Sequence, residues 1–446
     1  MTSQRRLWSV QDAYVLALGA VLGFLTLTWI PLTSLGGFDL TLPYAMALVL
    51  GLLLLLSFGR ASVALREMLA DAGPWLVAYL GYLLVLSIRL AGTANNGIMI
   101  RQSFFLLCGM VVACSIVLLR ANPKPLRRGG AFAIIGFLVV TEYYARQIGL
   151  SWSVALQRFF GSGDLGFVVY EFLREIFRTA QFGDVEVVAS VKNTVAVGLF
   201  TALIFFRAGH SYTAVDWKGR ILTGVVLVVL FLLNTRSVLV IAAVALPMAL
   251  TIASIRNPQH SARKMVASCV VVMFAAALAV VILSWDTAAI SIFENRFAFD
   301  DHSSSGRVLQ IQQALAGIEQ NILTGSGLTE FNGQLVHNLF LGAWLHGGLG
   351  AFLLVVTFYL GLLGGWLSFL FQISAHRDAW VLPVRAEWVA VMPLLPLFRV
   401  WVAGDAGHPD FASWIAIFAF VAVVHANKKE RSGFRAADVR TNAVAV

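Results

Sequence analysis

The densest run of chemistry-bearing residues lies late in the chain. Asp300-Asp301-His302-Ser303-Ser304-Ser305-Gly306-Arg307 leads into a helical pattern that reaches about Asn321. Gly325-Ser326-Gly327 follows, and then His337-Asn338 opens an apolar segment that passes through His346-Gly347-Gly348. Ser305-Gly306 is suited to turn the chain and cap a helix, which places Arg307 in the first turn. The helix dipole disfavours a cation there, so an arginine at that point suggests a task such as holding an anionic ligand. Gly325 and Gly327 permit a tight turn with close backbone approach. His337 stands where the chain re-enters an apolar run, and a histidine with an ordinary pKa of about 6.5 is a natural general base at neutral pH. Earlier, Leu233-Asn234-Thr235-Arg236-Ser237 places a second arginine, Arg236, at a short turn between two apolar runs.

These residues must be held by an unusual frame. The chain has 446 residues, 59% hydrophobic and 12% charged, whereas soluble domains carry roughly 25% charged residues. Its mean hydropathy is +0.82. This is the composition of an integral membrane protein. The pattern predicts an all-α, polytopic transmembrane bundle of about 12 spans, near 12–31, 42–58, 74–91, 102–119, 131–149, 191–206, 220–234, 237–255, 265–285, 349–371, 387–404 and 411–425. Each is expected to be a helix, because hydrocarbon offers no water to an open backbone. The first run is too long for a cleaved signal segment, so residues 1–446 are read as one integral membrane domain.

Charge sets the expected orientation. Most of the 32 lysines and arginines fall on one side if both termini are cytoplasmic, and the short loop Arg120–Arg128 and the tail from Lys428 are dense in them. The net charge of +9 thus reads as topology and contact with anionic lipid heads. A nucleic-acid partner is not supported, since no basic face with interleaved aromatics stands clear of the bilayer. Two outer segments are too long for turns. One, 150–190, has apolar residues at helical spacing from Phe167 to Phe182, which predicts an interfacial helix. The other, 286–336, contains the signature residues, and loops of such length are usually functional. The tail 427–446 reads as disordered and cytoplasmic.

Five more charges lie inside or near spans: Arg89, Glu142, Arg146, Arg399 and Asp405. Ionisable groups at that depth are functional candidates, and all five lie towards the outer ends of their predicted helices. Glu142 and Arg146 are spaced to pair on one helix face. Arg399, with only Asp405 nearby in sequence, is the strongest additional anion ligand. Structural alternatives stand beside each reading: Arg307 pairing with Asp300 or Asp301, Arg236 snorkelling to the interface, His337 packing or capping, Arg399 in an interhelical ion pair, and His346 as a structural histidine near small residues. Cys108, Cys114 and Cys269 sit in apolar runs, and neither they nor the adjacent Asp300-Asp301 make a metal pattern. No metal and no cofactor is expected.

Taken in order, Ser305-Gly306-Arg307, Gly325-Ser326-Gly327, His337-Asn338 and Gly348, with Arg236-Ser237 upstream, resemble the C-terminal signature of the O-antigen ligase and polymerase superfamily. The resemblance covers about residues 230–371. It departs from the family pattern where Arg236 precedes Ser237 instead of following it, at Gln310 where tryptophan is common, and at Ala351 where a second glycine is common. It implies a C-type helical glycosyltransferase of the bacterial inner membrane with a periplasmic active site. The donor would be an undecaprenyl-pyrophosphate-linked glycan and the acceptor another repeat unit or the lipid A core, with flippase and chain-length regulator proteins as possible partners. Arg236 and Arg307 would stabilise the leaving pyrophosphate, His337 would be the base, and Asn338 would orient its ring or a sugar. Arg399, Arg146, Glu142 and Arg89 would line the substrate cavity. Two substantial outer loops favour a polymerase of exopolysaccharide or O-antigen repeat units, with a ligase as the alternative. A transporter or flippase is the reading from another class; the chain lacks the internal repeats and paired interrupted helices usual there.

Overall fold

A computed structural model describes residues 10–35, 38–90, 96–162, 172–181, 185–210, 217–233, 235–256, 302–327, 336, 338–376, 379–402 and 410–444. The predicted ninth span, at 265–285, lies outside the described residues.

The protein is an all-α membrane protein. Its helices are α1 (Val10–Gly23), α2 (Leu42–Leu56), α3 (Phe58–Leu90), α4 (Asn96–Leu118), α5 (Pro123–Gln147), α6 (Trp152–Ser162), α7 (Leu173–Gln181), α8 (Val185–Ala208), α9 (Trp217–Leu233) and α10 (Arg236–Arg256). There follow α11 (His302–Gln320), α12 (Leu339–Ala375), α13 (Ala386–Val389), α14 (Leu394–Val402) and α15 (Phe411–Val444). Local chemistry sets several starts. Asn122 accepts a hydrogen bond from the Lys124 amide at 3.0 Å and Pro123 follows it, the arrangement that satisfies the open N–H groups of a first turn. Asn338 does the same for α12.

Among the described residues, five helices are long and apolar enough to cross a membrane, six if the bent pair α2 and the first part of α3 is one span. Several of the twelve predicted spans differ from the described helices. The first predicted span ends early, at Gly23. A short 3-10 turn, Leu25–Leu27, and an antiparallel hairpin, β1 (Pro31–Leu35) with β2 (Phe38–Thr41), follow it. Pro31, with no N–H to give a helix, opens β1, and Thr26 Oγ1 donates to the Ala133 carbonyl of α5 at 2.9 Å. The predicted linker near 59–73 is instead helical and continuous with the third span, after a 107° bend between α2 and α3. The predicted span 387–404 is two short helices, α13 and α14, separated around Pro393. The first outer loop contains an amphipathic helix, α7, within the stretch where one was expected; Leu173, Ile176 and Phe177 on it, and Phe172 just before it, are fully buried.

The tail also differs. Residues 427–444 continue α15 as helix where disorder was expected. Lysine, glutamate, arginine and alanine are good helix formers and no proline interrupts them. Ion pairs from Lys428 to Asp71 and from Lys429 to Glu67 anchor the helix as it leaves the apolar run.

The main interfaces join distant parts of the chain. α12 packs on α3, α15 on α4, α1 on α5, and α5 on α8. Trp414 of α15 is fully buried, meets Tyr79 of α3 edge to face with ring centres 4.7 Å apart, and donates to Gln102 of α4 at 3.4 Å. The core thus joins helices from the beginning, middle and end of the sequence.

Candidate functional site

Two pieces of the signature, Gly325-Ser326-Gly327 and Gly348, meet at one junction. After α11 the chain turns through Asn321 to Gly327 and lies across the start of α12. The Ser326 amide donates to the Leu345 carbonyl at 2.6 Å, and the Leu349 amide donates to the Ile322 carbonyl at 3.0 Å. Trp344 Nε1 donates to Ile322 O at 3.0 Å, and His346 Nδ1 lies 2.7 Å from Gly327 O. Within the loop, the Gly325 amide donates to Asn321 O at 2.8 Å, and Ser326 Oγ donates to Gly317 O at 3.2 Å. Ala314, Ile318, Val336 and Leu345 form a small apolar cluster under the junction.

Glycine is required at this crossing. Gly325 and Gly348 have φ of 71° and 75°, a region L side chains avoid. A Cβ on Gly325 would stand 2.5 Å from Gly348 N, and one on Gly348 would strike the Leu323 backbone. Gly348 also breaks α12, since its ψ of −172° is not helical. Loop and helix break are therefore fitted backbone to backbone. Gly348→Ala should loosen the junction by roughly 1–3 kcal/mol. Hydrogen exchange at the Ser326 and Leu349 amides should then run about five-fold to a hundred-fold faster, and unchanged exchange at both would contradict this account.

The predicted site residues distribute unevenly around this junction. Arg89, at the end of α3, donates through Nη2 to the Thr324 carbonyl; its exposed guanidinium retains further N–H donors of its fork. Asn338 accepts from the Phe340 and Leu341 amides at 3.0 and 3.1 Å, so it caps α12 and fixes the residue after His337. His337 itself lies outside the described residues, as do Asp300, Asp301, Asp405 and His408. Arg307 stands in the second turn of α11, not the first, because the helix begins at His302; the three serines before Gly306 continue the helix inward from its start. Arg236 is the first residue of α10, after a turn in which Thr235 O accepts from the Val238 and Leu239 amides.

The other predicted ligands are engaged elsewhere. Glu142 and Arg146 form the expected pair, at 2.7 Å. Glu142 Oε2 also accepts the Trp152 amide at 2.8 Å, so the carboxylate joins α5 to the start of α6. α5 packs with α1, α7 and α8, whereas the loop lies on α12 beside α3 and α11. Arg399 is 7% exposed and pairs with Asp410 at 2.9 Å. It forms an interhelical ion pair between α14 and the start of α15, the structural alternative that stood beside its reading as an anion ligand; Asp405 lies outside the described residues. Asp410 was missed because its partner lies across a helix connection, beyond any helical spacing. Its place just before Phe411, at the start of an apolar run, is the one local signal for it.

His346, read as structural, is indeed buried among small residues and ties the glycine loop to α12. Trp344 and Thr324 also join the junction; only their closeness to the glycines in sequence hinted at it. Among the described residues, no group of three His, Cys, Asp or Glu side chains gathers to hold a metal. No family model matches the chain, and no curated protein matches it.

Proposed function

We propose that this protein is a membrane glycosyltransferase that joins lipid-pyrophosphate-linked oligosaccharide repeat units into a longer glycan on the periplasmic face of the bacterial inner membrane. The observation that carries this reading is the interlocking of Gly325-Ser326-Gly327 with Gly348, two pieces of the resemblance that lie far apart in sequence and meet through backbone hydrogen bonds. A motif whose spaced glycines serve one junction is a built feature. It fixes the chain that leaves the C-terminal end of α11 against α12, with Arg89 of α3 bonded to it; Asn338 caps α12 directly after His337, and Arg307 lies towards the other end of α11.

The chemistry fits the residue types. The acceptor hydroxyl attacks the anomeric carbon of the donor sugar as the bond from that carbon to the pyrophosphate oxygen breaks. His337 takes the hydroxyl proton as general base. Negative charge grows on the departing pyrophosphate, and Arg307 and Arg236 stabilise it with fork-shaped donors. Arg89 steadies the loop and supplies a further cation beside it. No divalent ion is assigned a role.

The test uses the purified, full-length protein with lipid-pyrophosphate-linked repeat units in EDTA, reading glycan length on a gel. A ladder from donor alone is the expected result. Transfer seen only after a lipid A core acceptor is added would replace the polymerase reading by the ligase one. No transfer under either condition by folded protein would overturn the enzyme reading and favour a transporter.

A further inference from the structure

Far from the glycine loop, α3, α12 and α15 enclose a second feature, a crevice of about 110 Å³. Arg89 and Asp71 mark the two regions on α3, roughly 27 Å apart at the rise of an α-helix, close to the thickness of a bilayer's hydrocarbon core. The crevice walls are apolar, made chiefly by Trp75, Leu362, Phe369 and Phe420. On α12 the lining residues Gly361, Gly365 and Ser368 recur at helical spacing, and an added Cβ on Gly365 would meet nothing within 4 Å. The result is a trough along that helix.

The mouth is polar. Asp71, Ser368, Gln372, His425 and Lys428 border it. Asp71 is held twice, by His425 Nδ1 at 2.7 Å and by Lys428 Nζ at 3.2 Å, and Lys429 holds Glu67 at 2.6 Å. Half or more of the Lys428 and Lys429 side chains stays exposed, 52% and 59%, so each ammonium has donors left for another anion. Arg431 follows one turn later. Cations near this mouth, Lys428, Lys429, Arg431 and Arg120, outnumber the carboxylates Glu67, Asp71 and Glu430.

An apolar trough that opens between spans is filled by lipid in a bilayer, and its polar mouth lies where ester and phosphate groups sit. We infer that the crevice between α3, α12 and α15 is a binding site for an anionic phospholipid, with an acyl chain along the Gly361–Ser368 trough and the phosphate at Lys428 and Gln372. The site is independent of the glycan chemistry.

Trp75 in the wall reports occupancy. The protein is reconstituted in phosphatidylcholine vesicles doped with either brominated phosphatidylglycerol or brominated phosphatidylcholine. The Trp75 signal is the fluorescence difference from Trp75→Phe. Quenching by the anionic lipid should need roughly five-fold less brominated lipid than by the zwitterionic one, the worth of one lysine near an anionic surface. Gly365→Leu fills the trough and should abolish the Trp75 quenching, while Lys428→Gln should keep it and lose the preference. Equal quenching by both lipids in the unaltered protein, or full quenching in Gly365→Leu, would overturn the proposal.

Discussion

His337→Ala should lower glycan transfer by about 10²–10⁴-fold, the usual contribution of a positioned general base, with the protein still folded and the lipid-linked donor still reaching the outer face. The neighbours of this residue explain why so local a change should act without unfolding. Val336 is fully buried in the small cluster beneath the loop, and Asn338 is fixed as the cap of α12. Both anchors remain in the variant. Transfer should be measured at several pH values. A histidine acts as a base only when neutral, so the unaltered protein should lose activity as the pH falls and the variant's residual activity should lack that limb. Unchanged transfer in His337→Ala would remove the base from the mechanism. Donor accumulating on the cytoplasmic side instead would point to transport.

The second large effect concerns stability. Asp410→Ala should destabilise the protein by about 3–5 kcal/mol, because it strands Arg399 without its counter-charge in a nearly buried place. The double replacement Arg399→Met with Asp410→Leu should recover most of the loss, since a buried ion pair and a packed apolar pair of like volume are often close in energy. Thermal unfolding of detergent-purified protein, followed through buried Trp414, gives the comparison. If the double variant keeps transfer activity, Arg399 acts only as a structural cation. If it is as stable as the unaltered protein yet inactive, Arg399 has a further role in the site.

Much of the architecture was legible in the sequence because lipid imposes a simple code. Apolar runs of sufficient length must be helices, and α4, α8, α10, α12 and α15 lie where those runs predicted them. What the code cannot convey is the behaviour of charged or broken segments. Phe58–Asp71 carries Arg60, Arg66, Glu67 and Asp71 and so looked like a loop, yet ion pairs with α15 hold it as helix. The region after Asn427 looked disordered by composition, and the same contacts order its start. At the site, the glycines were readable because a positive φ leaves glycine as the natural choice. Their meeting was not readable, since nothing in Gly325 names Gly348 as its neighbour. The Arg399–Asp410 pair shows the same limit: each residue was visible as a charge, but only tertiary packing chose the partner.

The pairing of α3 with α12 and of α4 with α15 has a consequence for biosynthesis. The early helices enter the bilayer long before their partners exist. Until α15 emerges, Gln102 has no Trp414 to receive, and Glu67 and Asp71 have no lysines or His425 to neutralise them. A nascent chain halted before Phe411 would therefore display a buried-type amide and two lone carboxylates on surfaces meant for helix contact. Emergence of the last helix is therefore the step at which Gln102, Glu67 and Asp71 gain these partners.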